Sequence, residues 1–576
     1  MYRTLMLGEV DESLIGQSIE LAGWVKTIRD HGGIVFIDLR DKSGVVQLTT
    51  HDDSLLTSLS RESVISIKGK VVSRDEANVN LAIKSGKIEV EIEKIDVLSK
   101  SKNMLPFEVD ESMKTSEEVR LKYRYLDLRN DKMQDMLKLR DNVAFETRSF
   151  LRSKGFTEVT TPILTVPSPE GARDYLVPSR VHKGKFYALP QAPQQFKQLL
   201  MCGGVDKYFQ IAPCFRDEDP RADRLAGDFY QIDMEMSFAT QEDVHAVVEG
   251  LVEDLFGKYS KFPFNKGPFK KIPYKEAMVK YGSDKPDLRN PIEMVGLEDV
   301  FSQTTFGAFK GKTIEGFAIT SGEQPRSFYE KLQALMLNEG AAGLAWVRVQ
   351  EDGTLKGPIV KFITEKECND LIAKTGAKIG DDIFVIADAT AKKCYKLAGL
   401  LRTEVGEKLG LIDKSRIEFC WIVDFPMFDL NDEGKIDFCH NPFNMPKGGM
   451  ETLTSVNPLE VNAYQYDLVA NGYEVASGAV RNTDKDVMLK LFEIVGYGEE
   501  EIQSRFGALY TAFQYGAPPH AGVAPGFERF LMLMLGITNI RDVVPFPMNN
   551  RAQDVLMDGP IEATEQQLRE LHIKLR

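Results

Sequence analysis

The sequence has few of the features that mark secreted, membrane-bound or metal-stapled proteins. It contains 6 cysteines with no C-x-x-C pair, which argues against a structural zinc site and against a disulfide framework. No stretch approaches the roughly 20 apolar residues of a membrane span, and the first residues lack the basic region and apolar run of a signal peptide. We therefore expect a cytoplasmic protein with no membrane partner.

An excess of positive charge is also missing. The net charge is −14, which argues against a basic coat for non-specific nucleic-acid binding and against DNA as a partner. A local basic groove on an acidic molecule remains compatible with this balance. The 576 residues are 43% hydrophobic, which suits a globular chain of two to four domains with several cores.

Changes in pattern along the chain predict an α+β multidomain protein. Short alternating segments separated by turn residues predict a small N-terminal β-barrel, and a charged stretch with Pro106 near its start resembles a hinge. Long amphipathic helices and apolar strands then predict a larger core, interrupted by an inserted α/β domain. The predicted parts are a barrel at 1–105, a hinge at 106–131, a core at 132–279 and 411–560, an insertion at 280–410 and a C-terminal extension at 561–576.

The segment from Phe215 to Glu235 is the first candidate for chemistry. Arg216 follows a predicted strand, beside Asp217, Glu218 and Asp219, and Phe229 comes a dozen residues later. A guanidinium can pair bidentately with phosphate and an aromatic ring can stack on a purine, so the pattern suits a nucleotide site. The alternative is a solvated charged loop between two strands.

Two further segments are weak signals when taken singly. In Gly522–Arg529, glycines before a helix allow close backbone approach, and an arginine at the helix start can hold a phosphate. Small residues at such junctions are more often packing devices. Phe156–Pro162 reads as a strand that ends at a rigid proline.

Together, in this order and spacing, the three segments resemble the three signature motifs of class II aminoacyl-tRNA synthetases. The sequence between these motifs is similar to that of the bacterial aspartyl branch of class IIb, and the resemblance covers nearly the whole chain. It implies an OB-fold barrel that binds the anticodon, an antiparallel catalytic core and an insertion similar to the GAD domain of bacterial aspartyl enzymes. The further segments that carry it are 170–175, 189–197, 282–287, 471–474 with Arg481, and 516–520.

The resemblance implies an enzyme that joins L-aspartate to tRNA in two steps, with ATP as co-substrate and Mg²⁺ as cofactor. Arg216, Glu218 and Arg529 match the family's catalytic residues. The matching aspartate-site residues are Glu170, Gln194, Lys197, Arg216, Asp233, His440 and Arg481. The matching ATP-site residues are Arg216, Asp217, Glu218, Phe229, Glu474, Gly526, Phe527, Glu528 and Arg529. Asp467 and Glu474 match the carboxylates that hold Mg²⁺. A lone histidine such as His440 would otherwise be read as structural.

In the barrel, the resemblance implies an anticodon-reading set of Arg29, His31, Phe36, Gln47, Arg74, Ala77, Asn78 and Glu89. A stacked ring with hydrogen-bonding side chains is how OB-folds hold splayed bases. Without the resemblance, Phe36 would be read as a core residue of an alternating strand.

His31 and the small Ala77 are similar to the non-discriminating branch, which charges both tRNA(Asp) and tRNA(Asn). The alternatives are that His31 shapes a turn and the enzyme charges tRNA(Asp) alone.

The family also implies a homodimer, and the non-discriminating branch implies an amidotransferase partner, of which the sequence carries no mark. An asparaginyl or lysyl synthetase fits less well because Lys197, Asp233 and Arg481 are present. A non-catalytic tRNA-binding paralogue fits less well because the residues that match the family's phosphate-binding positions are also present.

Overall fold

A computed structural model describes residues 2–167, 172–225, 227–431 and 433–575. The chain divides into two compact units, Met1–Leu137 with Val555–Met557, and Lys138–Asp554 with Asp558–Arg576. Among the described residues, no helix combines the length and the apolar composition needed to cross a membrane.

The first unit is built on a closed five-stranded barrel with strand order β1-β2-β3-β5-β4. Apolar side chains alternate with exposed ones along the strands, so each strand turns one face inward. The inward residues form one core that includes Leu21, Val25, Ile37, Leu48 and Val90. The strands and helices of this unit are β1 Ser18–Asp30, β2 Val35–Asp41, β3 Gly44–Thr50, α1 Leu55–Ser58, β4 Val64–Ser73, β5 Ile88–Ser99, α2 Glu117–Lys122 and α3 Arg124–Asp127.

The segment that the sequence suggests as a hinge is ordered by buried ion pairs in the first unit. The carboxylate of Asp127 is fully buried and accepts from Arg124 at 2.5 Å and from Arg120 at 3.2 Å. Asp110 pairs with Lys26 of the barrel at 3.1 Å. Because a buried carboxylate is costly unless it is paired, these contacts fix the short helices α2 and α3.

The second unit contains an eight-stranded sheet of order β11-β17-β20-β21-β22-β10-β9-β6. The six inner strands pair antiparallel, whereas the edge strands β11 and β6 pair parallel with their neighbours. The strands of this sheet are β6 Thr157–Glu158, β9 Lys207–Arg216, β10 Gly227–Ser237, β11 Lys270–Pro273, β17 Phe419–Val423, β20 Gln465–Ala470, β21 Tyr473–Val480 and β22 His520–Pro525. The six inner strands confirm the predicted antiparallel core, and the two parallel edge strands make the whole sheet mixed.

Helices complete the larger unit. They are α4 Asp131–Ser153, which begins in the first unit, α5 Gln194–Cys202, α6 Gln241–Tyr259, α7 Tyr274–Tyr281, α11 Gly449–Ser455, α12 Lys485–Ile494, α13 Glu499–Ala512, α14 Phe527–Leu535 and α15 Glu565–Glu570. Two small hairpins, β7 Leu176–Pro178 with β8 Phe186–Ala188 and β18 Phe428–Leu430 with β19 Ile436–Phe438, lie outside the eight-stranded sheet. The strand expected at 156–162 has two residues, since Val159 and its successors leave the ladder before Pro162.

Between β11 and β17 the chain forms a second, five-stranded sheet of order β12-β13-β16-β14-β15. Alternate residues of β16 face two separate cores: Phe384 and Ile386 in one, Ile383 and Val385 in the other. A sheet that is buried on both faces has continuous apolar strands, as β16 does. Its elements are β12 Val295–Gly296, β13 Thr313–Ile319, α8 Arg326–Asn338, β14 Ala345–Val349, β15 Leu355–Lys356, α9 Glu365–Thr375, β16 Asp382–Asp388 and α10 Ala391–Lys408.

Candidate functional sites

Strand β10 aligns the central side chains of the larger unit. Phe229, Gln231, Asp233 and Glu235 alternate along it, and alternate residues of a strand share one face of the sheet. Phe229 and Gln231 line an open cavity, whereas Asp233 and Glu235 are fully buried. One face of one strand therefore leads from an open cavity into a buried charged site.

The buried charged site is a quartet of two cations and two carboxylates. Lys197 of α5 donates to Asp233 Oδ1 at 2.6 Å and lies 3.2 Å from Glu235 Oε2. Arg481 donates from Nε and Nη2 to the two oxygens of Glu235, at 2.9 and 3.3 Å. Among the described residues, Nη1 of Arg481 has no hydrogen-bond partner. The buried Oδ2 of Asp233 also has none. The balanced quartet thus keeps a cationic donor and a carboxylate acceptor unused.

Burial and charge act differently on the two carboxylates. Burial raises the pKa of Glu235, but Arg481 and Lys197 outweigh it, so the net shift of that pKa is downward. For Asp233, burial dominates and the pKa is raised, although Lys197 opposes the shift. Glu235 therefore stays ionised. A further cation near the unused oxygen of Asp233 would lower the pKa of that carboxyl and favour its ionised form.

The open cavity has a volume of about 410 Å³, within the range of small-ligand sites. It is bounded by β9, β10, β21, β22 and the start of α14. Its lining includes Arg216, Glu218, Phe229, Glu474, Gly526, Glu528 and Arg529, which are seven of the nine predicted ATP-site residues. The structure therefore brings together residues that lie more than three hundred positions apart in the sequence.

The polar groups of this cavity are arranged around its open centre. The guanidinium of Arg216 lies over the ring of Phe229, 5.0 Å from its centroid, and its Nε is buried without a partner among the described residues. Glu218 pairs with Arg224 at 2.9 Å. Arg529 donates to the backbone carbonyl of Glu474. The guanidinium of such a cation–π pair still has free N–H donors that can bind an anion. The aromatic ring can stack against another planar ring.

Three predicted ATP-site residues also have structural partners. Glu528 accepts from Arg140 at 2.8 Å and from the backbone N–H of Tyr230 at 3.0 Å, which joins α14 to α4 and β10. Phe527 is buried beneath the Arg140 guanidinium, 4.8 Å away. Asp217 forms a backbone bridge with Arg173, and neither Asp217 nor Phe527 lines the cavity.

The two predicted metal carboxylates lie close enough for their charges to interact. Asp467 is buried and its Oδ1 has no hydrogen-bond partner among the described residues, while Glu474 lines the cavity. Burial, followed by the charge of Glu474, raises the pKa of Asp467 well above its usual value. No group of three or more potential metal ligands occurs in the described parts of the chain. Two carboxylates suit Mg²⁺, which takes its remaining ligands from water and phosphate.

The remaining aspartate-site residues are placed differently. Gln194 is buried on α5 and donates to Gln198 at 3.1 Å, one turn from Lys197. His440 lies edge-on to Phe425, with ring centroids 5.1 Å apart. Glu170 falls outside the described residues.

The barrel carries a second cavity, of about 1000 Å³. It is open and polar, and it spans β1 to β5. Seven of the eight predicted anticodon residues line it: Arg29, His31, Phe36, Gln47, Arg74, Asn78 and Glu89. Ala77 belongs to the adjoining 3₁₀ turn and is not part of the lining.

A chain of hydrogen bonds crosses the floor of the barrel cavity. Arg29 donates to Asp38 at 2.8 Å and to Gln47 at 3.3 Å, and Gln47 donates to Glu89 at 2.8 Å. Arg74 is nine-tenths buried and its Nη2 has no partner among the described residues. Burial lowers the pKa of Arg74. These donors and acceptors are held in fixed positions, as base-edge recognition requires.

One end of this cavity carries an aromatic pair. His31 lies edge-on to Phe36, with centroids 5.5 Å apart. Phe36 is partly exposed and lines the cavity rather than the barrel core, which overturns its reading as a core residue. The turn that bears His31 is closed by the His31 N–H to the Ile34 carbonyl, with Gly32 and Gly33 at positive φ.

Sequence reasoning missed several residues of the buried site. Glu235 lies two positions after Asp233 on the same strand face, so the alternation of β10 was an available signal. His520 meets Gln198 at 3.1 Å behind the quartet. Gln191 joins both sides of the loop at 172–174, through the Ala172 backbone and Asp174. Nothing in the sequence pattern marks these last contacts, because they connect distant segments.

Comparisons with known proteins agree with this geometry. A model of the class II tRNA synthetases (D, K and N) matches residues 116–550. The chain belongs to the class II tRNA synthetases. An OB-fold nucleic-acid-binding domain matches residues 19–98 of the synthetase, which confirms the predicted fold of the barrel.

Curated relatives match the synthetase over its full length. It is 48% identical over 582 residues to an aspartate–tRNA ligase of Streptomyces coelicolor, covering 100% of this chain and 99% of the relative. It is 49% identical over 585 residues to an aspartate–tRNA(Asp/Asn) ligase of Bradyrhizobium diazoefficiens, with the same coverage. An aspartate–tRNA(Asp/Asn) ligase of Rickettsia akari is 47% identical over 590 residues, covering 100% of this chain and 98% of the relative.

Solved structures share the fold at low sequence identity. An asparaginyl-tRNA synthetase of Pyrococcus horikoshii superposes with a TM-score of 0.59 at 18% identity, covering 95% of this chain and 98% of that one. An aspartyl-tRNA synthetase of Entamoeba histolytica gives 0.57 at 20% identity, covering 95% and 91%.

Proposed function

We propose that the chain is an aspartate–tRNA(Asp/Asn) ligase of the cytoplasm, which activates L-aspartate with ATP and esterifies both tRNA(Asp) and tRNA(Asn). The observation that carries the proposal is the shared face of β10, where the cavity lined by Phe229 continues into the quartet around Asp233 and Glu235. Full-length relatives with this activity in their names support the substrate class.

The quartet supplies recognition of aspartate. The Nη1 group of Arg481 and the ammonium of Lys197 pair with the side-chain carboxylate, while the unused Oδ2 of Asp233 accepts from the α-amino group. Glu235 holds both cations in place and stays ionised. Asparagine would leave a buried cation unpaired, and a site built around such a polar group rejects the wrong analogue by about 10⁴–10⁵-fold.

ATP occupies the neighbouring cavity. The base stacks on Phe229, the α-phosphate pairs with Arg216 and the γ-phosphate pairs with Arg529 at the start of α14. Glu218 contacts the adenine. The partly unbonded guanidinium of Arg216 supports this arrangement, because its buried Nε has no protein partner among the described residues.

Asp467 and Glu474 would hold Mg²⁺. Their fit rests on the unpartnered Oδ1 of Asp467 and on its raised pKa, both of which a cation would relieve. When bound, the ion neutralises charge on the phosphate oxygens.

The chemistry needs no nucleophilic side chain. An oxygen of the α-carboxylate of aspartate attacks the α-phosphorus of ATP. The bond between this phosphorus and the oxygen that bridges to the β-phosphate breaks, and pyrophosphate leaves. Arg216 stabilises the charge that develops on the α-phosphate. The terminal ribose hydroxyl of tRNA then attacks the aspartyl carbonyl, its proton is lost, and AMP leaves. Quartet and cavity hold both substrates in line, which supplies most of the rate.

The barrel cavity reads the anticodon. We assign a base stack to Phe36, at about 1–3 kcal/mol per stacked base, and base-edge contacts to Arg29, Gln47, Arg74, Asn78 and Glu89. His31 lies at the rim of the cavity and the small Ala77 lies in the turn that adjoins the cavity. Together they admit the anticodons of both tRNA(Asp) and tRNA(Asn). The Asp/Asn names of several relatives support this relaxed reading.

We also propose a homodimer, with an amidotransferase as a later partner for aspartyl-tRNA(Asn). Exposed apolar side chains on the β7–β8 hairpin and on the segment that pairs with it support an interface on the larger unit, since contiguous apolar patches mark association surfaces. They include Val166 at 61%, Leu176 at 55% and Phe186 at 46% exposure.

Aspartate-dependent exchange of pyrophosphate into ATP tests the activation step. We expect exchange in the wild type and its loss in Arg216→Ala, with the far-UV circular dichroism unchanged. Arg326→Ala is the matched control, because Arg326 is 90% exposed on α8 and pairs only with Glu330 among described residues. Near-normal exchange in Arg216→Ala would overturn the assignment.

A further inference from the structure

Lys285 is a cation at the cavity wall that the proposed reaction has not used. It follows α7 in the segment Gly282–Asp287, and it lines the cavity that we assign to ATP. Its Nζ lies 2.7 Å from Asp284 Oδ2 and 3.4 Å from Glu474 Oε2. The backbone N–H of Lys285 donates to the Ser283 hydroxyl at 3.0 Å, which fixes the start of the segment.

Besides Asp284, the carboxylates near Lys285 are Glu474 and Asp467, the pair assigned to Mg²⁺. The described ion pairs give Glu474 no other cation, and Asp467 has a buried oxygen without a partner. Two neighbouring carboxylates repel each other unless a positive charge lies between or beside them. Lys285 supplies such a charge in the protein alone, and it lines the open cavity beside Glu474.

We propose that Lys285 is a further catalytic residue that alternates between two partners: the metal-binding carboxylates in the empty enzyme, and the outer phosphates of ATP in the loaded one. This rests on the proposed function, because it assumes that ATP and a divalent cation meet at this wall. An ammonium is a compact charge on a flexible stem, so it can change partners without moving the backbone. On the phosphates it stabilises the leaving pyrophosphate.

Such a residue has opposite effects on the two ligands. In the empty enzyme its charge competes with a divalent cation for Glu474, so its removal strengthens metal binding. In the loaded enzyme its charge attracts phosphate, so its removal weakens ATP binding. Unit charges this close interact strongly enough for changes on the order of tenfold in each direction. A residue that merely braces the loop would weaken both ligands when removed.

The probe is Mn²⁺, counted by the loss of its free electron paramagnetic resonance signal without nucleotide. The affinity of ATP is then measured by equilibrium dialysis at saturating Mn²⁺. The variants are Lys285→Met, which removes the charge, and Lys285→Arg, which keeps it. Lys280→Met is the matched control, since Lys280 pairs on the surface of α7 with Glu276. Asp467→Asn identifies the ion bound at this pair, because it should remove that ion from the count.

We expect Lys285→Met to bind Mn²⁺ about tenfold more tightly and ATP about tenfold more weakly, with Lys285→Arg and Lys280→Met close to the wild type. Unchanged or weaker Mn²⁺ binding in Lys285→Met, or unchanged ATP binding, would overturn the proposal. Aspartate-dependent exchange in the wild type is measured alongside. Its absence would count against the proposed function, whereas its presence with equal metal affinities would count against Lys285 alone.

Discussion

A buried histidine behind the sheet should make stability depend on pH. His245 of α6 stacks on Trp421 with centroids 3.9 Å apart and lies edge-on to Tyr466 at 4.8 Å. Both of its ring nitrogens are buried without a hydrogen-bond partner among the described residues. Burial lowers the pKa of His245 from 6.5 to about 3. The folded protein therefore keeps this ring neutral where the unfolded chain protonates it.

The sign and size of the effect follow from that pKa. Between pH 6.5 and about 3 the unfolded chain binds one more proton at this site, so stability falls as the pH falls. At about pH 4.5, two pH units below the pKa of the unfolded state, the loss of stability amounts to about 3 kcal/mol. At pH 7.5, where both states are neutral, the unpaired nitrogens cost about 1 kcal/mol or more.

His245→Phe removes both penalties while keeping a ring against Trp421. We expect it to stabilise the protein modestly at pH 7.5, and its advantage over the wild type to grow by about 3 kcal/mol at pH 4.5. Urea unfolding followed by tryptophan fluorescence at both pH values measures the difference. His182→Gln is the control, because it removes an exposed histidine. An advantage that is equal at the two pH values, or a loss at both, would refute the reasoning.

Three further variants test other contacts. Glu235→Gln should lower the free energy of unfolding by about 3–5 kcal/mol and abolish aspartate-dependent exchange, since it leaves two buried cations under-compensated; an active, equally stable variant would contradict the quartet. Phe36→Leu should raise the KM for tRNA at least fivefold with exchange unchanged, and an unchanged KM would remove Phe36 from the anticodon site. Arg140→Gln should destabilise the fold, measured by urea unfolding, because the buried Glu528 loses its charged partner; unchanged stability would show that this pair contributes little.

Much of the architecture was predictable from local patterns. Alternating apolar residues predict the barrel strands, which match a closed OB-fold barrel. Amphipathic periodicity predicts long helices in the larger core, and α6 is one of them. These predictions succeed because they depend on which face of an element is buried, and the sequence encodes that periodicity directly.

Pairing at the sheet edges was harder to predict. The short strand β6 pairs parallel with β9, although its sequence extends to Pro162 as a longer apparent strand. Propensity indicates an extended chain but not its neighbour, since pairing depends on how distant segments pack.

Motif resemblance predicts a set of site residues, but it does not predict the network of contacts between them. Motif resemblance indicated Lys197, Asp233 and Arg481, yet it did not indicate that Glu235 joins both cations. That contact spans 246 positions between Glu235 and Arg481, so no local pattern contains it. The dual engagement of Glu528 with Arg140 and Tyr230 is equally invisible, because α4, β10 and α14 meet only in the folded unit.

Charging of tRNA transcripts tests the central claim most directly. The purified protein is incubated with labelled aspartate, ATP and Mg²⁺, and separately with tRNA(Asp) or tRNA(Asn). We predict aspartylation of both tRNAs. Charging of tRNA(Asp) alone, at concentrations where that tRNA is fully charged, would contradict the dual specificity, and charging of neither would contradict the ligase itself.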